Sequence, residues 1–289
     1  MIYSTITAIS EKSVKIFFLI EHCLVNLQRK INFNMYEMKK ALITGASGGI
    51  GLEIARRLSQ QEYQLTLAAR NEQKLKSVQE QLGKDRHQIF VADLTKKEDI
   101  ERVSRHLNEN SYDLLVNNAG TGSYGRFIDL SLTDQLNTIT LNMEAVVSLS
   151  YAFLSKAAPG SALINIGSLL AHSSLPGGAV YAGTKSFVAT FSESLWYEFK
   201  DKGIFVSGFN PGAADSDFHS NSGSSTSAFP KFVLSTVSEV VDEFMKTLSA
   251  RSKPRVVQGF KNRMMLFGFK FLSRKSAINI MGKISPGLK

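Results

Sequence analysis

The sequence is poor in cysteine and proline and has no long uninterrupted apolar run. Its 289 residues include one cysteine, Cys23, and six prolines. A single cysteine excludes an internal disulfide, and no Cys/His cluster shows the spacing of metal ligands. The sequence therefore predicts neither a disulfide framework nor a metal site. This cysteine usage favours a reducing compartment, and we expect a cytoplasmic protein.

The most apolar stretch, VKIFFLIEHCLVNL, is interrupted by Lys15, Glu21 and His22. It is too broken for a membrane-spanning helix and lacks an evident small-residue cleavage site. The segment MKKALITGASGGIG, which starts at Met38, would be a natural beginning for a domain. Residues 1–38 are therefore interpreted as an N-terminal extension or a mis-assigned start.

Acidic residues are missing from the C-terminal segment. Residues 251–289 contain ten Lys or Arg and no Asp or Glu, whereas the whole chain has a net charge of +9. Subtracting +10 leaves −1 for the first 250 residues. The basic character thus belongs to the C-terminal segment, and nucleic-acid binding by the whole domain is disfavoured.

From Lys39 onward, short β-rich apolar runs alternate with longer helical patterns, which is typical of a parallel sheet with helical crossovers. This rhythm predicts an α/β fold: a doubly wound, parallel, seven-stranded sheet with helices on both faces. We expect one domain over residues 39–260, with a Ser-rich substrate lid at 216–235 and a basic amphipathic tail at 261–289. The predicted strands are KALITG, QLTLAAR, QIFVADL, DLLVNNAG, ALINIGS, IFVSGFNPG and PRVVQ.

A glycine-rich loop, TGASGGIG, follows the first predicted strand and precedes an amphipathic helix pattern. Glycines at this register let the backbone approach a pyrophosphate, while the following helix offers free N–H groups and its positive dipole end. A plain tight turn would not need three glycines in that register. The loop residues predicted to bind a dinucleotide are Gly45, Ser47, Gly49, Ile50 and Gly51.

The second predicted strand ends in Ala69 and Arg70. A fold specific for NAD usually has a carboxylate here, which accepts the ribose hydroxyls. Arginine can instead pair with a 2′-phosphate, so the sequence favours NADP(H) as cofactor. The alternative is a solvated surface arginine.

Polar and small residues also follow the third and fourth predicted strands. Asp93 and Leu94 are predicted to meet the adenine, and Asn118, Ala119 and Gly120 to form a backbone corner beneath the cofactor. Each would be an ordinary turn in isolation. Together they mark the carboxyl ends of strands, where open α/β sheets bind ligands.

Two Tyr-x-x-x-Lys pairs occur, Tyr36–Lys40 and Tyr181–Lys185, and only the second follows a strand and a serine, Ser168, thirteen residues upstream. Read with Asn142, TGASGGIG, NNAG and NPG, this constellation resembles the short-chain dehydrogenase/reductase family over about residues 39–260. The first pair is interpreted as accidental.

The resemblance implies a Rossmann fold and hydride transfer between a nicotinamide and a carbonyl or alcohol substrate, with Tyr181 as general acid/base. It implies a catalytic tetrad of Asn142, Ser168, Tyr181 and Lys185, with Tyr181 and Lys185 also contacting the cofactor. Pro211 and Gly212 would pass the nicotinamide, and the Ser216 hydroxyl could bond its carboxamide. It also implies a homodimer or homotetramer.

The chemistry of the tetrad also follows from the residue types. An ordinary tyrosine pKa of about 10 is too high for a base near neutrality. Lys185 lies one helical turn beyond Tyr181, so its ammonium is expected to lower that pKa. Ser168 would donate to the substrate oxygen, and Asn142 would hold a water that connects Lys185 to solvent. The alternative is a core tyrosine beside a solvated lysine.

Four apolar residues, Leu169, Leu175, Pro176 and Phe218, suggest a pocket for a hydrophobic substrate. The leading hypothesis is therefore NADP(H)-dependent reduction of a hydrophobic ketone or aldehyde. The alternatives are a reductase of carrier-bound 3-oxoacyl thioesters and, in a different class, a protein that senses NADP without turnover.

The tail places Phe260, Met264, Phe267 and Phe271 at helical spacing, beside Arg263, Lys270 and Arg274. A basic amphipathic helix of this kind can rest on an anionic membrane or bind an acidic carrier. The alternative is that the aromatic side packs on the domain or on another subunit.

Overall fold

A computed structural model describes residues 38–214 and 234–288 of the chain. The chain divides into two units, Met1–Met38 and Lys39–Lys289. The architecture below is that of the second unit. Ser216, Phe218 and most of the predicted lid lie outside the described residues.

Strands and helices alternate through the first half of the unit. The elements in order are β1 (Lys40–Thr44), α1 (Gly49–Gln60), β2 (Gln64–Ala69), α2 (Glu72–Leu82), β3 (Gln88–Val91), α3 (Lys97–Glu109) and β4 (Leu114–Asn117). The second half begins with two helices separated by one π-helical turn. Its elements are α4 (Leu132–Ile139), the π turn (Thr140–Glu144), α5 (Ala145–Leu154), β5 (Ala162–Ile166), α6 (Ala179–Phe199), β6 (Phe205–Asn210), β7 (Ala213–Ala214), β8 (Leu234–Ser235), α7 (Val237–Ala250), β9 (Arg255–Val257), α8 (Phe260–Phe269) and α9 (Arg274–Ile284).

Seven strands form one parallel sheet in the order β3-β2-β1-β4-β5-β6-β9, while β7 and β8 pair separately. The order reverses beside β1, where Ala41 pairs with Leu65 of β2 on one side and Leu114 of β4 on the other. All seven predicted strands are present, and the doubly wound fold is confirmed. Such a reversal opens a crevice at the carboxyl ends of β1 and β4, the usual ligand position in this architecture.

The sheet is covered on both faces because successive side chains of a strand point to opposite sides. Leu42 packs in the layer formed mainly by α3 and α5, whereas its neighbour Ile43 packs in the layer formed by α1, α2 and α7. Both side chains are fully buried. This explains why the central strands read as nearly continuous apolar runs.

Four of the nine described helices begin at a side-chain cap, and α1 is among those that do not. Asn71 caps α2 by accepting from the Lys74 N–H, and Thr236 forms a capping box with Glu239 at α7. Such caps satisfy orphan N–H groups of the first turn. The N-cap of α1 is Gly48, which has no side chain to offer, and its first turn contains no acidic residue.

A buried polar ladder joins the central strands to α6. The Asn117 Nδ2 donates to Asn165 Oδ1 at 2.9 Å, and the Asn165 Nδ2 donates to Ser192 Oγ at 3.0 Å. Asn165 and Ser192 are fully buried. The ladder therefore fixes α6, which bears Tyr181 and Lys185, against the ends of β4 and β5.

The tail consists of two short helices that pack on the domain through different residues from those of the predicted aromatic stripe. Asn262 of α8 and Met281 of α9 are buried. The stripe residues Phe260, Met264, Phe267 and Phe271 are instead 50–77% exposed. Packing of the stripe on its own domain, the first half of that alternative, is therefore wrong, whereas packing on another subunit stays a prediction. No helix in the described part of the chain has the length and apolar character to cross a bilayer.

Candidate active site

The glycine loop turns sharply from β1 into α1. Gly45 and Gly49 have φ of +67° and +53°, the left-handed region that favours glycine. Gly51 has no room for a side chain, because a Cβ there would overlap the Gly45 oxygen. Since the first turn of α1 is uncapped, its N–H groups and the positive end of its dipole are available to an anion. Ser47 and Ile50, both partly buried, complete the loop.

Thr44 ties this loop to the end of β4, and the sequence analysis missed it. The Thr44 Oγ1 accepts hydrogen bonds from the N–H groups of Asn118 (3.0 Å) and Ala119 (2.9 Å). In return, the Asn118 Nδ2 donates to the Thr44 oxygen at 2.9 Å. The predicted backbone corner is therefore bonded directly to the glycine loop. A hydroxyl at the last residue of β1 was the signal that could have indicated this bond.

The three residues predicted to bind the adenosine part of the cofactor differ in how far their side chains are exposed. Arg70 is exposed immediately after β2. Asp93 follows β3, and its Oδ1 accepts from the Thr95 N–H (3.1 Å) and hydroxyl (2.8 Å). Leu94 is buried in the core, so only its backbone can meet a ligand.

The four residues predicted to be catalytic come from three different elements. Asn142 lies in the π turn, Ser168 follows β5, and Tyr181 and Lys185 lie one turn apart on α6. Ser168 and Tyr181 are joined by a side-chain hydrogen bond. The Ser168 Oγ also accepts from the Leu170 N–H at 3.1 Å, which orients its hydroxyl.

Asn142 and Lys185 converge beside Gly120. The Asn142 Nδ2 donates to the Thr121 oxygen at 2.8 Å and to Thr184 Oγ1 at 3.0 Å, while its Oδ1 accepts from the Thr121 N–H. A Cβ on Gly120 would stand 3.2 Å from Asn142 Oδ1 and 3.3 Å from Lys185 Nζ. The absence of a side chain at Gly120 thus leaves room between the amide and the ammonium.

Burial changes the pKa of both members of the Tyr–Lys pair. Tyr181 is 6% exposed, and burial raises its pKa to about 12, although the hydrogen bond from Ser168 acts in the opposite direction. Burial lowers the pKa of Lys185 to about 8. The net shift for Tyr181 is opposite to the expected one, because desolvation of the phenolate outweighs any attraction to the ammonium. Tyr181 is therefore neutral at pH 7.

Two residues missed in the sequence enclose the Tyr181 ring. A Cβ on Gly122 would lie 2.8 Å from the ring, so the Gly122 backbone lies against it. Tyr124 meets the ring edge-on, with centroids 6.1 Å apart. A small cavity opens beside Tyr181 on the side of α4. Its lining also includes Ser123, Gly125, Phe127, Leu130, Gln135, Thr138, Gly177, Ala179 and Val180.

Leu175 and Pro176, predicted to line an apolar substrate pocket, contact the tail and are not among the residues that line this cavity. Leu175 is buried in a cluster with Tyr124 and Met281 of α9. Pro176 faces Gly282 of α9. The tail therefore forms a wall behind the loop that precedes α6.

Two further predicted residues lie where β6 ends. Leu169, which is buried, donates its N–H to the Pro211 oxygen at 2.7 Å. Gly212 lies against the Asn262 side chain of α8, which a Cβ at Gly212 would approach to 2.5 Å. These contacts connect Pro211 and Gly212, which are predicted to pass the nicotinamide, both to the turn at Ser168 and to the tail.

The family model of the short chain dehydrogenases matches residues 39–226. The chain belongs to this family. An uncharacterized oxidoreductase of Staphylococcus aureus is 29% identical over 181 residues, which is 61% of this chain and 78% of that protein. A relative from Staphylococcus epidermidis, also an uncharacterized oxidoreductase, is 31% identical over 182 residues, with the same coverage.

Solved structures of this short-chain dehydrogenase family have the same fold. A short-chain dehydrogenase from Sphingobium yanoikuyae in complex with NADPH is 28% identical, with a TM-score of 0.71, covering 81% of this chain and 94% of that one. A bulky-bulky ketone specific alcohol dehydrogenase from Comamonas testosteroni is 27% identical, with a TM-score of 0.69, covering 81% and 92%. Among residues 38–214 and 234–288, no group of three or more His, Cys, Asp or Glu side chains could hold a metal ion.

Proposed function

We propose that this short-chain dehydrogenase is an NADP(H)-dependent carbonyl reductase in which Tyr181 is the general acid/base. The observation that carries the proposal is the hydrogen-bonded pair of Ser168 and Tyr181 beside the buried Lys185, at the carboxyl ends of the central strands. Burying an ammonium beside a phenol costs stability, and perturbed groups of this kind cluster at functional sites.

The residues of the crevice fit a dinucleotide with a 2′-phosphate. The uncapped start of α1 offers N–H groups to a pyrophosphate, and Arg70 offers an exposed guanidinium after β2, next to Ala69 rather than a carboxylate. Gly120, Pro211 and Gly212 present backbone to the nicotinamide end. When bound, NADPH would supply the hydride.

The remaining chemistry is proton transfer, which belongs to the chain. Neutral Tyr181 holds a proton that it can give to a carbonyl oxygen as negative charge develops there. Ser168, hydrogen-bonded to Tyr181, can donate to the same oxygen. Lys185 is positioned to favour the phenolate that remains, and Asn142 orients the backbone of Thr121 across the space beside Gly120.

The apolar side chains in the cavity wall support a hydrophobic substrate. Phe127, Leu130 and Val180 supply apolar surface near Tyr181, which favours a hydrophobic ketone or aldehyde over a small polar sugar. The bulky-ketone specificity named for the Comamonas relative supports this class.

We also propose a homodimer or homotetramer. Large apolar side chains are exposed along the helices on either side of the π turn, including Leu132 (65%), Leu136 (53%) and Tyr151 (76%). Exposed apolar patches of this kind mark contact surfaces. Light scattering would measure the mass, and a monomer at assay concentration would contradict the assignment.

Tyr181→Phe tests the catalytic assignment, with NADPH oxidation measured across aliphatic, aromatic and steroid ketones and a 3-oxoacyl thioester. We expect kcat to fall by roughly two to four orders of magnitude, because proton transfer of this kind contributes that much. NADPH affinity, measured by fluorescence titration, should stay within about threefold. Tyr197→Phe on α6, which is 65% exposed, is the matched control and should retain activity.

Two results would overturn the proposal. Undiminished turnover by Tyr181→Phe would remove Tyr181 from catalysis. NADPH binding by the wild type without turnover of any carbonyl in the panel would favour the non-catalytic sensor.

A further inference from the structure

Helix α8 exposes an apolar face that no described part of the chain covers. Phe260, Met264 and Phe267 recur at helical spacing and are 69%, 50% and 53% exposed. Phe271, just beyond the helix, is 77% exposed and packs edge-on against Phe267, with ring centroids 5.2 Å apart. These four residues are the α8 face. Three phenylalanines side by side on a surface are uncommon unless they make contact with something.

The opposite side of α8 is held firmly to the domain. The Asn262 Nδ2 donates to the Gln258 oxygen at 2.8 Å, and Phe269 on the same side packs against the buried cluster that contains Leu175 and Met281. Asn262 is 4% exposed and lies against Gly212. The α8 face therefore points outward because the helix is fixed by its other side, and its exposure does not come from a loosely attached tail.

Cationic side chains flank the α8 face on both sides. At 100° per residue, Lys261 lies about 100° from Phe260 on one side, while Lys270 lies about 80° from it on the other. Both are exposed. Arg274 and Lys275 follow at the start of α9, and residues 251–289 contain no acidic side chain. Aromatic residues in the centre with cations along both edges form the pattern of a helix that lies in the interface of an anionic bilayer.

We propose that the α8 face docks this enzyme onto an anionic lipid membrane. The phenylalanines enter the boundary between headgroups and acyl chains, and Lys261 and Lys270 contact the lipid phosphates. A second copy of the chain fits the face less well. Symmetric pairing would set the cationic edges of both copies against each other, since an isologous contact brings the same patch together. The uncharged apolar residues of α4 and α5 suit that role better.

Docking through α8 would also affect how substrate reaches the cavity beside Tyr181. The next helix, α9, packs on the substrate side: Met281 contacts Leu175, and Arg274 donates to Ser174 Oγ at 2.9 Å. Docking would therefore hold the loop before α6 close to the bilayer. Docking at a bilayer favours substrates that partition into lipid, and the statement that these substrates are carbonyl compounds rests on the function proposed above.

The test is sedimentation of the full-length protein with vesicles of phosphatidylcholine alone or with 30% phosphatidylglycerol, over a range of salt. We expect binding to the anionic vesicles, weakened by salt, and much less binding to the neutral ones.

The double variant Phe267→Ser/Phe271→Ser should lower the partition coefficient roughly tenfold or more. Lys261→Glu/Lys270→Glu should abolish the preference for anionic lipid. Lys97→Glu/Arg105→Glu on α3, the matched control, changes the net charge equally at exposed sites and should bind as the wild type does.

Three outcomes would overturn the proposal: no sedimentation of the wild type with anionic vesicles, undiminished sedimentation of the serine variant, or a smaller assembly mass for that variant by light scattering. The last would make the α8 face a contact between copies. All variants should reduce a water-soluble ketone at the wild-type rate. Failure of docking is thereby distinguished from failure of the carbonyl-reductase assignment, which would abolish turnover in the wild type as well.

Discussion

The Lys185 Nζ donates a hydrogen bond to the main-chain oxygen of Ile166, the last residue of β5, at 2.9 Å. This bond places the ammonium between the strand that leads to Ser168 and the helix that carries Tyr181. Lys185 is only 5% exposed, so its charge is kept out of water, and the group that accepts its hydrogen bond is a neutral carbonyl. The arrangement is unfavourable for stability, as its lowered pKa shows.

Lys185→Met should therefore change how stability depends on pH. The lysine pKa is about 8 in the folded protein and about 10.4 when unfolded. The unfolded chain then binds more protons between these values, so wild-type stability rises with pH in that window. Between pH 7.5 and pH 9.5 we expect the wild type to gain roughly 2 kcal/mol relative to Lys185→Met. Urea unfolding at the two pH values measures this.

Lys156→Met on the surface after α5 provides the control, because its side chain is exposed and its removal should leave the pH slope unchanged. A constant stability difference between wild type and Lys185→Met across pH 7.5–9.5 would show that Lys185 titrates normally.

Gly122→Ala should impair turnover without unfolding the protein. Its Cβ would lie 2.8–3.3 Å from three carbons of the Tyr181 ring, so the ring must shift by a few tenths of an ångström. Small misplacements of a catalytic group are costly, and we expect kcat to fall roughly tenfold with NADPH affinity retained. Gly183→Ala, two residues beyond Tyr181 and facing open space, should keep wild-type activity. Equal kcat values for the two variants would mean that Gly122 does not position the ring.

Arg70→Asp tests the preference for NADP(H). An aspartate there would repel a 2′-phosphate and accept ribose hydroxyls instead. We expect kcat/KM for NADPH to fall by roughly two orders of magnitude while that for NADH holds or rises. Steady-state kinetics with both cofactors measures the ratio. Arg56→Asp on α1, also an exposed arginine, is the control. An unchanged ratio in Arg70→Asp would leave Arg70 as a surface residue.

The sequence predicted the sheet well because its strands are buried on both faces. Runs such as KALITG and ALINIGS have few alternatives to a central parallel strand, and all seven were found. The glycine loop was equally readable, since Gly45, Gly49 and Gly51 are required by backbone geometry that any sequence with this turn must meet.

Contacts between distant segments were not predictable in the same way. Thr44 bonds to the end of β4, 74 residues away, and its place at the end of β1 marks a free hydroxyl but not the distant segment that it contacts. The direction of the Tyr181 pKa shift was also missed, because helical spacing reports the neighbouring charge but not the burial that outweighs it. The exposed stripe of α8 reads like a core pattern in sequence; which side of the helix is covered depends on Asn262 and Gln258.

Gly287→Ala tests whether the tail shapes the substrate cavity. Gly287 lies against the hydrogen bond from the Gly125 N–H to the Gly177 oxygen, and a Cβ would stand 2.6 Å from that nitrogen. Both of those glycines line the cavity beside Tyr181. The alanine must therefore push the last turn of the tail away from the cavity wall.

We expect Gly287→Ala to raise KM for a hydrophobic ketone roughly three- to tenfold, since substrate contacts in an apolar pocket carry differences of that order. The kcat and the NADPH affinity should change little, because Tyr181, Ser168 and the glycine loop lie outside the contact. Gly268→Ala on α8, where a Cβ meets nothing within 4 Å, is the matched control and should behave as wild type. An unaltered KM in Gly287→Ala would mean that the tail covers this wall without shaping the substrate site. A loss of kcat alone would mean that the tail acts on the catalytic residues instead.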